Sequence, residues 1–430
     1  MKRRNFIKKA GATSLAAIVG GTSALSASSR WKRVSPLEKL NVGLIGCNGM
    51  GWRNTASLMK MKDLNLLAIC DVDASALQRR MRDYQMLNKG SVKPKAFADY
   101  TRVLSNKNVD IVVIGSPDHW HCMQTCHALE AGKHVYVEKP VANTIEECNL
   151  MVKSQERYIR MVQVGQWQRS APHYRKAVEL VQSGILGSIS QVKVWAFQNS
   201  IPKLPVKADG QAPRGVDYAR WLGPAKRRAF NENRFHFNFR WFWDYSGGLI
   251  TDWGVHQMDI VLQAMGVTMP QSVSASGVKY AYPHSAAETP DAMEATFEYG
   301  DFTMSYEHAS GIGLGHYQKS EGIAFIGSNG TLVVNRDGYE IISENKPEIL
   351  EQYDIKSDKD VPNVLDLHTK NFIASVKIQN ETILNAHLKT GSLAAITAQM
   401  ANISFKTGST LNWDAIAGNL NQVRLEFSAW

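Results

Sequence analysis

Cysteine is scarce in this sequence of 430 residues: there are five, Cys47, Cys70, Cys122, Cys126 and Cys148, all in the N-terminal half. An odd count without metal-ligand spacing argues against a disulfide framework and against a zinc site. Cys122 and Cys126 can share one helix face and suit small apolar core positions. Acidic residues are absent from the first 27 positions, which hold Lys2, Arg3, Arg4, Lys8 and Lys9. Those five account for half of the formal charge of +10, and no basic run with interleaved aromatics follows. Nucleic acid is therefore not an expected partner. No apolar stretch has the length of a membrane span, and there is neither a repeat nor a low-complexity tract. With 44% apolar and 20% charged residues, the chain reads as a globular protein of two or three domains.

The N-terminus has its own pattern. A charged start, a weakly apolar run from Ala10 to Ala27 and the small residues around Ser26-Ala27 read as a cleavable leader over residues 1–27. Arg3-Arg4 with Phe6 resembles the twin-arginine signal, which exports proteins already folded, so a periplasmic location is expected. Folding before export, in a reducing compartment, accounts for free thiols. Residues 28–38 read as a polar linker.

From Leu40 onward the pattern is strand, glycine turn, helix, strand. The apolar runs Asn41–Ile45, Leu64–Cys70, Val109–Ile114 and His134–Val137 are separated by helical stretches. That alternation predicts an α/β domain with a doubly wound parallel sheet over residues 39–165. Beyond residue 165, strand-like stretches such as Ile189–Phe197, Ser272–Val278, Ala292–Tyr299 and Phe302–His308 follow one another with few helices. This predicts an α+β domain with an open, largely antiparallel sheet over residues 166–430, serving substrate binding and oligomerisation.

The turn Gly46-Cys-Asn48-Gly49-Met50-Gly51 follows a strand and opens a helix, the context of a dinucleotide fingerprint. Glycines permit the tight turn and a close approach to pyrophosphate, which the helix N-terminus stabilises. Asn48 replaces the middle glycine, and Asn tolerates a left-handed backbone better than most residues. Asp71 closes the second strand, where a carboxylate bonds ribose hydroxyls and favours NAD over NADP. Lys139 lies just past another strand, on the edge where ligands bind, and Pro140 stiffens its turn. Asp252 and His256, four apart at the start of a helix ending near Met265-Gly266, are expected on one face. Asp252 also suits an N-cap, and Asp259 reads as structural. His119, His121 and Cys122 lack metal-ligand partners, so no metal is expected. The segment Arg234–Gly248 is rich in aromatics with interspersed Arg and His, a composition suited to sugar faces and hydroxyls, although core packing explains part of it. Tyr306 and His308 can project from a strand into the same site.

The glycine turn, Ser116-Pro-Asp-His-Trp-His121, Glu138-Lys139-Pro140 and Thr251-Asp252-Trp-Gly-Val-His256 together resemble the Gfo/Idh/MocA oxidoreductases, in particular exported members with a twin-arginine signal. The resemblance implies hydride transfer between a nicotinamide dinucleotide and a carbon of a sugar, glycoside or cyclitol, with Lys139, Asp252 and His256 at the reacting centre. It further implies cofactor contacts from Gly46, Asn48, Gly49, Met50, Gly51, Asp71, Ser116, Pro117, His119, His121, Glu138, Lys139 and Gln166. Substrate contacts are expected from Lys139, Arg234, His236, Arg240, Trp241, Asp252 and His256. A homodimer or homotetramer is implied as well.

Export bears on the chemistry. Outside the cytoplasm there is no free nicotinamide pool, so the expectation is NAD bound tightly before export and regenerated within each cycle. NAD-dependent glycosidases, which work through a transient keto-sugar without net redox change, resemble this chain in leader and nucleotide domain. They differ at the Lys139 position, so Lys139 favours dehydrogenase chemistry. The third alternative is a non-catalytic dinucleotide or sugar sensor, against which the intact Lys139, Asp252 and His256 set argues.

Overall fold

The computed structural model describes residues 39–87, 93–197, 203–346, 348–357, 361–414 and 416–417. The leader and linker read in residues 1–38 lie outside the described residues. The first sheet has six parallel strands in the order β3-β2-β1-β4-β5-β6: β1 (Leu40–Ile45), β2 (Leu64–Cys70), β3 (Lys95–Phe97), β4 (Ile111–Ile114), β5 (His134–Val137) and β6 (Val162–Val164). β4 and β5 are buried throughout, as expected of strands covered on both faces. Ile111 and Val113 face one layer, packing with Leu58 and Tyr84. Val112 and Ile114 face the other, with Cys122, Cys126, Leu129, Cys148 and Met151. All five cysteines are buried and none forms a disulfide.

The second sheet is mixed: β14-β13-β12-β11-β7-β10-β9-β8-β15. Its strands are β7 (Ile189–Ala196), β8 (Ser272–Val278), β9 (Ala292–Glu298), β10 (Thr303–Ala309), β11 (Glu321–Gly327), β12 (Gly330–Asn335), β13 (Gly338–Ser343), β14 (Ile349–Asp354) and β15 (Leu411–Asn412). Only β7 and β10 pair in parallel among these described strands. Strict alternation in β9 and β10 sends Phe297, Met304 and Tyr306 inward, against helices Val255–Met265 and Leu388–Thr407. This inner face continues without a break into the apolar layer under the parallel sheet.

One long-range element was not legible in the sequence. Helix Val364–Ile378 returns to the parallel sheet and places Phe372, Ile373 and Val376 against Leu40, Val42, Leu44 and Tyr136. Asp366 accepts from Ser57 Oγ and Lys60 Nζ, both at 2.6 Å, and the His368 carbonyl accepts from Gln163 Nε2 at 2.7 Å.

Two buried histidines share one pattern. His368 Nε2 donates to the Val164 carbonyl while Nδ1 accepts from Ser170 Oγ. His308 Nε2 donates to the Pro290 carbonyl while Nδ1 accepts from Tyr306 Oη. These partners fit the neutral ring, and burial pushes both imidazoles down to about 4. The unfolded chain takes up these protons near pH 6.5 and the folded chain does not, so stability is full above that pH and lost as pH falls toward 4. Urea titrations at pH 7.5 and 5.5 should differ by about 1 kcal/mol for each histidine. Equal midpoints at the two pH values, with an unchanged slope, would sink this account.

Candidate active site

The carboxyl ends of β1, β2, β4 and β5 open into one cleft of about 2320 Å³, where such sheets bind ligands. Gly46, Gly51 and Gly115 close its floor. A Cβ on Gly51 would collide with the Gly46 carbonyl oxygen, and one on Gly46 would lie 2.6 Å from the Gly115 carbonyl carbon. Gly46 (φ +77) and Gly49 (φ +47) take the left-handed positions, and nothing lies within 4 Å of where a Gly49 Cβ would be. Asn48 does not take one: its φ is −87 and it caps helix Gly49–Leu58 in an extended conformation. The third fingerprint position therefore needs no glycine here, which corrects the reason for tolerating Asn48. Asp71, just past β2, accepts from the backbone N–H groups of Cys47 at 2.9 Å and Asp73 at 3.0 Å. A backbone cradle with open space above Gly49, and a carboxylate on the cleft wall at the neighbouring strand end, fit a dinucleotide.

Further along the cleft, His121 is fixed between two carbonyls, Ser116 at 2.8 Å and Pro140 at 2.7 Å. Ser116 Oγ donates to Gln124 Oε1. Glu138 is buried against Gly165, where any side chain would strike its carboxyl, and accepts from Asn54 Nδ2 at 2.6 Å. Burial raises its pKa, opposed by Asn54 and by the charge of Lys139. Met50, Ser116, Pro117, His121, Glu138 and Lys139 all line the cleft.

Lys139 Nζ donates to the Asp252 carboxylate at 2.7 Å and to its carbonyl at 2.8 Å, and Arg240 Nε reaches the same Oδ1 at 3.2 Å. Burial alone would raise the Asp252 pKa, but Lys139 and Arg240 overcome it and hold the carboxyl well below its usual range. Asp252 is not an N-cap. It lies inside a π-helical turn, Ile250–Gly254, and its own N–H donates to the Gly248 carbonyl. No hydrogen bond joins Asp252 to His256 across that turn, although the Asp252 charge still acts on the His256 ring. His256 packs edge-on to Trp167 and Trp253, with Nδ1 left without a partner. Burial first, then the charges of Lys139 and Arg336, push its imidazole well below the ordinary value.

Several expected contacts are placed elsewhere. His119 has no exposure and packs on Trp221 and Tyr245, turned away from the cleft by its helix. Gln166 is buried at the junction of the two layers, off the cleft wall, with its amide oxygen unpartnered. Trp241 is a core residue, and Arg234 is tied to Asp209 by an ion pair. Tyr306 and His308 are fully used inside the second sheet. Neither Asp252 nor His256 lines the cleft, whereas Arg240 and His236 do. Asp259 is structural, held by Arg169 at 2.7 Å. Sequence reasoning missed Asp118, which lines the cleft and accepts from Ser246 Oγ, and Asn54 behind Glu138. Asp118 sits inside the Ser116–His121 motif, a usable signal, while nothing marked Asn54. Among the described residues no group of three His, Cys, Asp or Glu side chains is placed to hold a metal ion, and no helix is long and apolar enough to cross a membrane.

Comparison with known proteins agrees with this architecture. Two glycosyl hydrolase family 109 proteins, from Shewanella sp. strain MR-4 and Shewanella baltica strain OS185, are 27% and 28% identical over 204 residues. The match spans 44% of this chain and 44% of each relative, less than half of their length. Among solved structures, the aldose-aldose oxidoreductase of Caulobacter crescentus superposes with a TM-score of 0.65 at 17% identity, over 87% of this chain and all of that one. Levoglucosan dehydrogenase, in complex with NADH and levoglucosan, gives 0.65 at 16% identity over 87% of this chain and 99% of the other. Residues 40–166 match the oxidoreductase family's NAD-binding Rossmann fold and residues 173–424 match its C-terminal alpha/beta domain. The chain belongs to the Gfo/Idh/MocA oxidoreductase family.

Proposed function

We propose that this protein oxidises a hydroxyl-bearing carbon of a sugar, glycoside or cyclitol, using NAD that it binds tightly and retains through turnover, the hydride then passing to the carbonyl carbon of a second sugar so that NAD is restored within the cycle. The observation that carries this reading is the ammonium of Lys139, fixed by Asp252 on the wall of the nucleotide cleft. When bound, the nicotinamide supplies the hydride acceptor and, on return, the donor. The Gly46–Gly51 turn would hold the pyrophosphate and Asp71 the adenosine ribose, while Ser116, Pro117, His121 and Glu138 flank the nicotinamide end. Lys139 hydrogen-bonds the reacting hydroxyl and stabilises negative charge on its oxygen. Asp252 and Arg240 set the direction of that ammonium. His256, kept neutral by burial beside Lys139, is the proton acceptor of this reading. Arg240 and His236 would contact the rest of the carbohydrate. A periplasmic location for the loaded protein, which the Arg3-Arg4 pattern supports, and a homodimer or homotetramer belong to the same proposal.

A second reading has one observation in its favour, the likeness to family 109 glycosyl hydrolases. In it the same oxidation is transient: it acidifies the neighbouring C–H, a glycosidic group leaves, and the hydride returns. Lys139 still favours net oxidation.

Acid-denatured protein should release stoichiometric NAD, and intact protein should act on members of a panel of free sugars and glycosides. A keto-sugar product supports the dehydrogenase, and aglycone release without net cofactor change supports the glycosidase. An inert, dinucleotide-binding protein would leave only the sensor. In Lys139→Ala, kcat/KM should fall by about 10³-fold or more while NAD affinity changes little, since charge stabilisation at the oxygen is lost; turnover near the parent rate would remove Lys139 from the centre. The low pKa of His256 has a signed consequence. It is lost as a proton acceptor only when protonated, so kcat/KM should stay level from pH 8 to 6 and fall in stronger acid. An acid limb near pH 7 that persists in His256→Gln would assign that proton to another group.

A further inference from the structure

The second structural layer sends a segment back across the nucleotide cleft. Val216 forms a β-bridge with Asp73, just past β2. The Asp217 N–H donates to the Val72 carbonyl at 2.9 Å, and the Ala74 N–H donates to the Gly215 carbonyl at 3.0 Å. The Trp221 carbonyl accepts from Trp120 Nε1 at 2.8 Å and faces His119 Nε2 at 3.1 Å. Trp120 lies against Gly223, whose missing side chain makes room for the indole. Arg220 lies 3.6 Å from Asp99, and His236, in a left-handed conformation (φ +49), reaches Asp73 at 3.0 Å.

These contacts fall at one end of the cleft. Asp71, Val72, Asp99 and Tyr100 form one wall there, and Asp217, Ala219, Arg220 and Trp221 form the wall opposite. Asp71 marks the ribose position of a dinucleotide, and the strap begins to pair at the next residue. We infer that Gly215–Gly223, with His236, is a strap that completes the adenosine end of the dinucleotide site and sets how slowly the cofactor leaves. The inference rests on the nucleotide reading above and adds a physical cause for retention. On this inference a dinucleotide seated on Asp71 leaves when the backbone hydrogen bonds on both sides of Val216 part, and strap opening sets the dissociation rate. Arg220 and Trp221 become nucleotide-site residues contributed by the second layer.

An antiparallel bridge brings two Cα atoms within the reach of a disulfide, so an Asp73→Cys/Val216→Cys pair tests the strap directly. The purified variant is loaded with NAD+, and dissociation is followed by rapid filtration, reduced and oxidised, so that loss of the Asp73 carboxylate, which accepts from the Ser75 and Ala76 N–H groups, is common to both. Oxidation after loading should slow dissociation by about 100-fold, and oxidation before loading should block entry. A second variant, Arg220→Ala/His236→Ala, should release NAD+ roughly tenfold faster, the scale of a 1.4 kcal/mol change, with no shift in the Tm of the NAD-free protein. Equal dissociation in the reduced and oxidised pair overturns the strap even if the parent binds NAD+ tightly. Failure of the parent itself to bind NAD+ overturns the strap and the nucleotide reading together, which separates the two failures.

Discussion

A largely sheltered ammonium–carboxylate contact joins the two layers at the cleft. Lys139 stands at the carboxyl end of β5, and Asp252 stands in the turn that starts the helix packed under the second sheet. Neither charge is stable out of water alone, and leaving one unpaired costs about 3–5 kcal/mol. Lys139 therefore spends two of its donors on Asp252, while Arg240 adds a second cation to the same oxygen. The pairing fixes the distance from the parallel sheet to the aromatic segment that carries Arg240. It also leaves the ammonium at the cleft, with a donor remaining for a ligand.

Local signals in the sequence described one half of this arrangement well. The glycine turn, Asp71, Ser116-Pro117 and Glu138-Lys139 were legible because each sits directly after a strand whose apolar run was visible, and strand ends converge in a parallel sheet. Asn48 was recognised for the right position with the wrong backbone: the left-handed residues are its neighbours Gly46 and Gly49. Asp252 and His256 were recognised as a pair, but the π-helical turn that holds Asp252 has no distinctive composition and reads in sequence as an ordinary helix start. Composition could not sort the aromatic segment either. Arg234 and Trp241 look no different in sequence from Arg240, and only packing decides that the first two are occupied and the third faces the cleft. The boundaries of β9 and β10 were close to expectation because period-two alternation is strict there. Helix Val364–Ile378 escaped because its partners lie some three hundred positions away.

The second layer has two roles at the cleft. It presents Arg240 and Asp252 toward Lys139, and it covers the end of β2 with Val216, Asp217 and Arg220. Both sets of contacts thus come from one stretch of chain between β7 and the helix Val255–Met265. Changes along that stretch can alter both, even where no side chain touches the reacting atoms.

The return of helix Val364–Ile378 to the first sheet has a consequence for synthesis. A ribosome delivers β1 through β6 early, yet the apolar side of β1 formed by Leu40, Val42 and Leu44 has its lid only when residue 376 has emerged. Until then that face is covered only in part, by the helices that carry Leu58 and Tyr84, and nascent chains with such faces are prone to associate. The cover of the first sheet is thus completed late in synthesis, although the sheet itself is contiguous in sequence. A truncation before residue 364 removes part of that cover as well as part of the second layer.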